Sequence, residues 1–119
     1  MAKILVVDDE RPIRSLLRAA LEGDGHQVFE AGNGRLGLEL YRERFVDLII
    51  TDLVMPEMNG LELISELTKS AQVKVIAMTG DSDATGRLTA ARLLGARQIL
   101  RKPFDLTTLL DMVRYELTQ

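Results

Sequence analysis

Five short apolar runs, each followed by apolar residues at helical spacing, set the pattern of this chain. Ile4-Leu5-Val6-Val7 and Leu48-Ile49-Ile50 are continuously apolar and β-branched-rich, which suits strands buried on both faces. Gln27–Ala31 is a shorter, weaker strand candidate, Val73–Met78 a fourth strand and Gln98-Ile99-Leu100 a fifth. Between them Pro12 suits a first helical turn, with Ile13, Leu16, Leu17 and Ala20 on one face and Gly23 and Gly25 at the end. Asn33-Gly34 opens a second helix with Gly37, Leu38, Tyr41 and Phe45 on one face. Gly37 costs about 1 kcal/mol against Ala in a helix, and close packing on a sheet would explain it. Leu61, Ile64 and Leu67 mark a third helix after Gly60. A fourth runs from about Ala84 to Leu94, with Leu88, Ala91 and Leu94 inward, and stops at Gly95. The last carries the stripe Leu106, Leu109, Leu110, Val113 and Leu117.

Strand and helix in strict alternation demand right-handed crossovers, hence a parallel sheet with helices on both faces. Five strands fit the flavodoxin-like, doubly wound (βα)5 order 2-1-3-4-5, and a weak second strand belongs at an edge. No linker, repeat or low-complexity stretch interrupts the pattern, so residues 1–119 read as one domain. The formal net charge of −3, without a Lys/Arg block, argues against direct nucleic-acid binding. The absence of cysteine excludes disulfides, thiolate metal sites and cysteine nucleophiles. Ile4 to Val7 is too short for a signal peptide or a membrane span, so a cytoplasmic location is expected.

The chemistry gathers where the strands end. In an open parallel sheet ligands collect at the C-terminal edge. The first strand delivers Asp8-Asp9-Glu10 to it, the third Asp52, the fourth Thr79-Gly80-Asp81 and the fifth Lys102. In the 2-1-3-4-5 order these strand ends are neighbours. Asp8, Asp9 and Asp52 cannot all stay ionised cheaply at close range, so one of them should have a raised pKa without metal. A hard divalent cation such as Mg²⁺ would relieve the repulsion, with Lys102 as a further point charge.

Val6-Val7-Asp8-Asp9-Glu10, Asp52-Leu53-Val54-Met55-Pro56, Gly60, Thr79 and Lys102-Pro103-Phe104, in this order, make the chain resemble a receiver domain of a two-component response regulator, of the chemotaxis-regulator-like kind. The resemblance covers essentially the whole length. It implies that Asp52 is the phosphoacceptor, loaded from a phosphohistidine on a sensor histidine kinase or phosphotransfer protein. It implies Mg²⁺ held by Asp9, Asp52 and the backbone carbonyl of Val54, with Asp8 acting through water. Thr79 would turn inward to the phosphoryl oxygen, Lys102 would pair with the phosphoryl group, and the Lys102–Pro103 peptide would be cis. A downstream protein would dock on the fourth helix, fifth strand and fifth helix.

Two positions depart from the family pattern. Ile99 stands where many receivers carry a Tyr or Phe that swings with the threonine. Ala96-Arg97-Gln98 replaces the acidic pair that precedes this aromatic in many receivers attached to winged-helix regulators. Arg87, Arg92, Arg97 and Arg101 form a candidate basic stripe, and His26 reads as an exposed loop residue without a catalytic role. The chain is either a stand-alone receiver or a fragment of a longer DNA-binding transcriptional regulator. A Mg²⁺-dependent aspartyl-phosphate phosphatase shares the chemistry but normally needs a cap insertion. A flavin or nucleotide carrier would want backbone N–H donors where this chain has Asp8-Asp9-Glu10.

Overall fold

The computed structural model describes residues 1–55, 57–70, 73–80 and 84–119, without the side chains of Ser70, Ala84, Thr85 and Leu88. Pro56, Asp81 and the inward side chain expected of Leu88 therefore lie outside the described residues. The order is β1 (Lys3–Val7), α1 (Arg11–Gly23), β2 (Gln27–Ala31), α2 (Gly34–Glu43), β3 (Leu48–Asp52), α3 (Gly60–Ser70), β4 (Lys74–Thr79), α4 (Ala84–Leu94), β5 (Gln98–Arg101) and α5 (Leu106–Leu117). The strands pair in parallel as β2-β1-β3-β4-β5, the flavodoxin-like order expected from the alternation.

The period of two along each strand divides the core. Leu5, Val7, Ile49, Val75 and Ala77 face Leu38 of α2, Leu63, Ile64 and Leu67 of α3, and Ala91 of α4. Ile4, Val6, Leu48, Ile50, Ile76 and Met78 face Leu17 and Leu21 of α1 and Leu109 and Val113 of α5. Each Val, Leu, Ile or Met among them, when fully buried, stabilises the fold by about 1.5–3 kcal/mol. The glycine in α2 packs as expected, since a Cβ on Gly37 would stand 2.9 Å from Val7 Cγ2. No helix among the described residues is long and apolar enough to cross a membrane.

Side-chain caps punctuate the helices. Asn33 Oδ1 accepts from the Leu36 N–H at 2.9 Å, and Asp105 Oδ1 from the Thr107 N–H at 3.0 Å. Asn59 and Glu62 form a reciprocal box at the start of α3, a signal legible in the spacing but not used above.

Three local expectations need correction. In α1 the fully buried line is Leu17 and Leu21, while Leu16 is 45% exposed, because it falls at the rim of the inward stripe. Phe45 lies beyond the end of α2 and is 80% exposed, so helical spacing no longer governs it. His26 is not exposed: its side chain is 10% accessible, and Nδ1 accepts from the Ala2 N–H at 3.2 Å.

Candidate functional site

Asp52 is the last residue of β3, and its side chain is 9% exposed. It is held there from both sides. The Thr51 hydroxyl donates to the Asp52 carbonyl at 3.0 Å, and the Val54 N–H approaches Oδ1 at 3.5 Å. The next helix, α3, begins at Gly60. The Gly60 N–H donates to the Leu53 carbonyl at 3.1 Å, and a Cβ on Gly60 would meet the Asp52 carbonyl oxygen at 2.2 Å. No other residue fits there without moving the backbone that carries the carboxylate.

Asp8 follows β1, the neighbour of β3, and is fully buried. Its Oδ1 accepts from the Glu10 N–H at 2.9 Å, and its own N–H donates to the Ala31 carbonyl at 3.1 Å. The Arg14 guanidinium donates to the Asp8 carbonyl at 2.7 Å, anchoring the strand end to α1. Lys102 follows β5 and reaches across the sheet edge. Its Nζ donates to Asp8 Oδ2 at 2.8 Å, to Asp52 Oδ2 at 3.2 Å and to Glu10 Oε1 at 3.4 Å. Its backbone N–H bonds the Thr79 carbonyl at 2.8 Å, and the Lys102–Pro103 peptide is cis. Thr79 itself is buried at the end of β4.

The expected strand-end residues thus converge, with one rearrangement among the acids. Oxygens of Asp8, Glu10 and Asp52 lie within 4.8 Å of one another. Asp9 is exposed and lines the same cleft, a space of about 500 Å³ bounded also by Glu10, Asp52, Val54, Gly80, Arg87 and Lys102. Asp8 meets Lys102 directly. The sequence reading did not single out Glu10, although the unbroken acidic triple after β1 was its signal.

Burial pushes the Asp52 carboxyl above the ordinary aspartate range; Lys102 opposes the shift and the neighbouring Asp8 charge adds to it. Burial by itself would lower the Lys102 ammonium, but its bonds and charge attraction to Asp8 and Asp52 outweigh that and raise it. One strongly held ammonium therefore faces more negative charge than it can neutralise. Such a place can take a hard cation or an incoming electrophile.

Of the four arginines in the candidate stripe, Arg92 and Arg101 border a groove with Ile99, Leu100, Phe104 and Met112. Arg97 turns to Glu116, its Nε 2.5 Å from Oε1. Arg87 lines the acidic cleft instead. The four do not form one surface, because Arg87 leaves α4 toward the cleft while Arg97, just ahead of β5, is drawn to Glu116 of α5.

A family model for the response regulator receiver domain matches residues 4–114. The chain is 40% identical over 116 residues to the protein PilH of Pseudomonas aeruginosa, covering 95% of each. It is 41% identical over 117 residues to the KDP operon transcriptional regulatory protein KdpE of Escherichia coli, covering 98% of this chain and 52% of that protein. Among solved structures, a CheY-like receiver domain protein from Methanospirillum hungatei superposes with a TM-score of 0.94 at 28% identity, covering 99% of this chain and 94% of that one. The response regulator TrrA of Thermotoga maritima, in complex with Mg²⁺-BeF, superposes at 0.87 with 33% identity, covering 98% of this chain and 99% of that one.

Proposed function

From the premise that this chain belongs to the response regulator receiver domain family of two-component signalling, we propose that Asp52 is its phosphoacceptor, loaded from a phosphohistidine on a sensor histidine kinase or phosphotransfer protein. The observation that carries this reading is the convergence of Asp8, Glu10, Asp52 and Lys102 at one sheet edge, beside an open cleft.

Mg²⁺ fits the site. The donors are hard carboxylate oxygens, they crowd within 4.8 Å, and one ammonium offsets them. Asp9, Asp52 and the Val54 carbonyl would hold the ion, with Asp8 through water and Glu10 as a further oxygen donor. When bound, it supplies positive charge to the phosphoryl oxygens and keeps Asp52 ionised. The chain's own residues do the rest. A carboxylate oxygen of Asp52 attacks phosphorus while the bond to the donor imidazole breaks. Lys102 stabilises the equatorial charge, and the Thr79 hydroxyl is recruited by the new acceptor oxygens.

The domain acts as a binding switch, not as an enzyme turning over a separate substrate. Its readout is a protein partner on the face formed by α4, β5 and α5, supported by the groove between Arg92, Ile99 and Met112. Ile99 packs half-buried against the α3–α4 side of the core, so an aliphatic shift replaces the aromatic swing. The likeness to PilH over nearly its whole length supports a stand-alone receiver. The match to about half of KdpE supports the same domain joined to a DNA-binding part. Incubation with acetyl phosphate and Mg²⁺ should add one phosphoryl group to the wild type and none to Asp52→Asn, as read by intact mass. An equal mass shift in the variant would remove Asp52 from the role.

A further inference from the structure

Arg87 does not share the outer surface of Arg92 and Arg101. It is half-buried at the end of the first turn of α4, one guanidinium nitrogen is fully buried, and it lines the cleft with Asp52, Val54, Gly80 and Lys102. Among the described residues, Arg87 and Lys102 are the cations of that cleft.

Lys102 has three N–H donors, and each has a carboxylate within 3.4 Å. A phosphoryl group on Asp52 adds three acceptor oxygens and about −1.5 to −2 charge. A single ammonium already shared by Asp8, Glu10 and Asp52 cannot serve all of them. A guanidinium offers a planar fork that matches two phosphoryl oxygens at once. It also sits on a helix, whereas Lys102 follows a strand.

We propose that Arg87 is a second phosphoryl-binding residue, which grips phosphorylated Asp52 and so couples the site directly to α4. The inference rests on Asp52 being the phosphoacceptor. It adds a charged link from the phosphoryl group to α4 beside the aliphatic contact of Ile99, where no ring is available to swing. α4 is held to the core through buried Ala91 and half-buried Leu94, while Arg92 and the 83% exposed Leu93 lie on its outer side. A pull on Arg87 is therefore transmitted to residues that a partner can touch.

The test uses the whole chain, with beryllofluoride as the phosphoryl mimic and Mg²⁺ present, followed by NMR titration. Arg87→Ala should weaken beryllofluoride binding by about tenfold, the scale of a charge-assisted contact. Arg87→Lys should recover part of the loss. Mg²⁺ binding to unmodified Arg87→Ala should be unchanged or tighter, because a cation has left an acidic cleft. Opposite signs for the two ligands support a phosphoryl contact. Equal weakening of both, with a lower Tm, would reduce Arg87 to a packing role and overturn the proposal, as would unchanged beryllofluoride affinity. Beryllofluoride binding that survives Asp52→Asn would instead overturn the underlying assignment of the acceptor.

Discussion

The two ends of the sheet bury acids in contrasting ways. At the N-terminal edge Glu116 of α5 is almost wholly buried, and each carboxylate oxygen has its own donor: Arg97 Nε at 2.5 Å and Gln98 Nε2 at 2.9 Å. Lys74 ties the same corner by donating to the carbonyls of Glu116 and Gln119. At the C-terminal edge the buried Asp8 and Asp52, with the exposed Glu10 beside them, share one ammonium. The first arrangement is saturated and only holds β4, β5 and α5 together. The second retains unmatched negative charge and therefore retains the capacity to bind and react. A buried acid marks function only when its neighbours leave it short of partners.

Lys102→Ala should break this contrast most severely. With the ammonium gone, the strand-end acids repel one another in a part-buried site, and metal-free protein at neutral pH should lose about 3 kcal/mol. Urea unfolding should show much of that loss restored by Mg²⁺, and the restored protein should take up phosphoryl without the usual conformational response. A loss indifferent to Mg²⁺ would mean that the acids do not form a cation site.

Glu116→Ala should cost about 2 kcal/mol, because Gln98 is left without its buried acceptor while the half-exposed Arg97 can turn to water. Mg²⁺ should restore none of it, and phosphorylation of Asp52 should persist. Metal rescue of this variant would erase the distinction between the two edges.

Asp52→Asn should act in the opposite direction on stability. The raised pKa of Asp52 means that its contribution is present below the unfolded pKa and lost as pH rises through the folded one. In EDTA, then, the variant should gain on wild type as pH rises through and above the ordinary aspartate range. Parallel stability curves across that range would show that the acidic edge is already balanced without metal.

The smallest change belongs to the exposed pair Asp24 and Arg114, joined at 2.8 and 3.0 Å. Bonding to Arg114 lowers the Asp24 pKa, so its stabilisation is present above the unfolded pKa and fades as pH falls through the folded one. Arg114→Ala should shift Tm only slightly, and salt should diminish the difference further. A shift as large as that of Glu116→Ala would indicate a buried contribution from this pair.

The sequence by itself determined the strand order and the edge where Asp8, Asp52, Thr79 and Lys102 meet. Those follow from local rules: strands alternate faces with a period of two, parallel crossovers have one hand, and a charge at the end of a buried strand has only the edge to occupy. Tertiary structure alone decided that Glu116 hides within an apolar stripe, that His26 folds onto Ala2, that Leu21 outranks Leu16, that Glu10 reaches Lys102, and that a Cβ at Gly60 would strike the Asp52 carbonyl. It also sent Arg87 into the cleft and Arg97 toward α5. Long polar side chains take their direction from partners distant in sequence, and helical periodicity carries no information about where those partners stand.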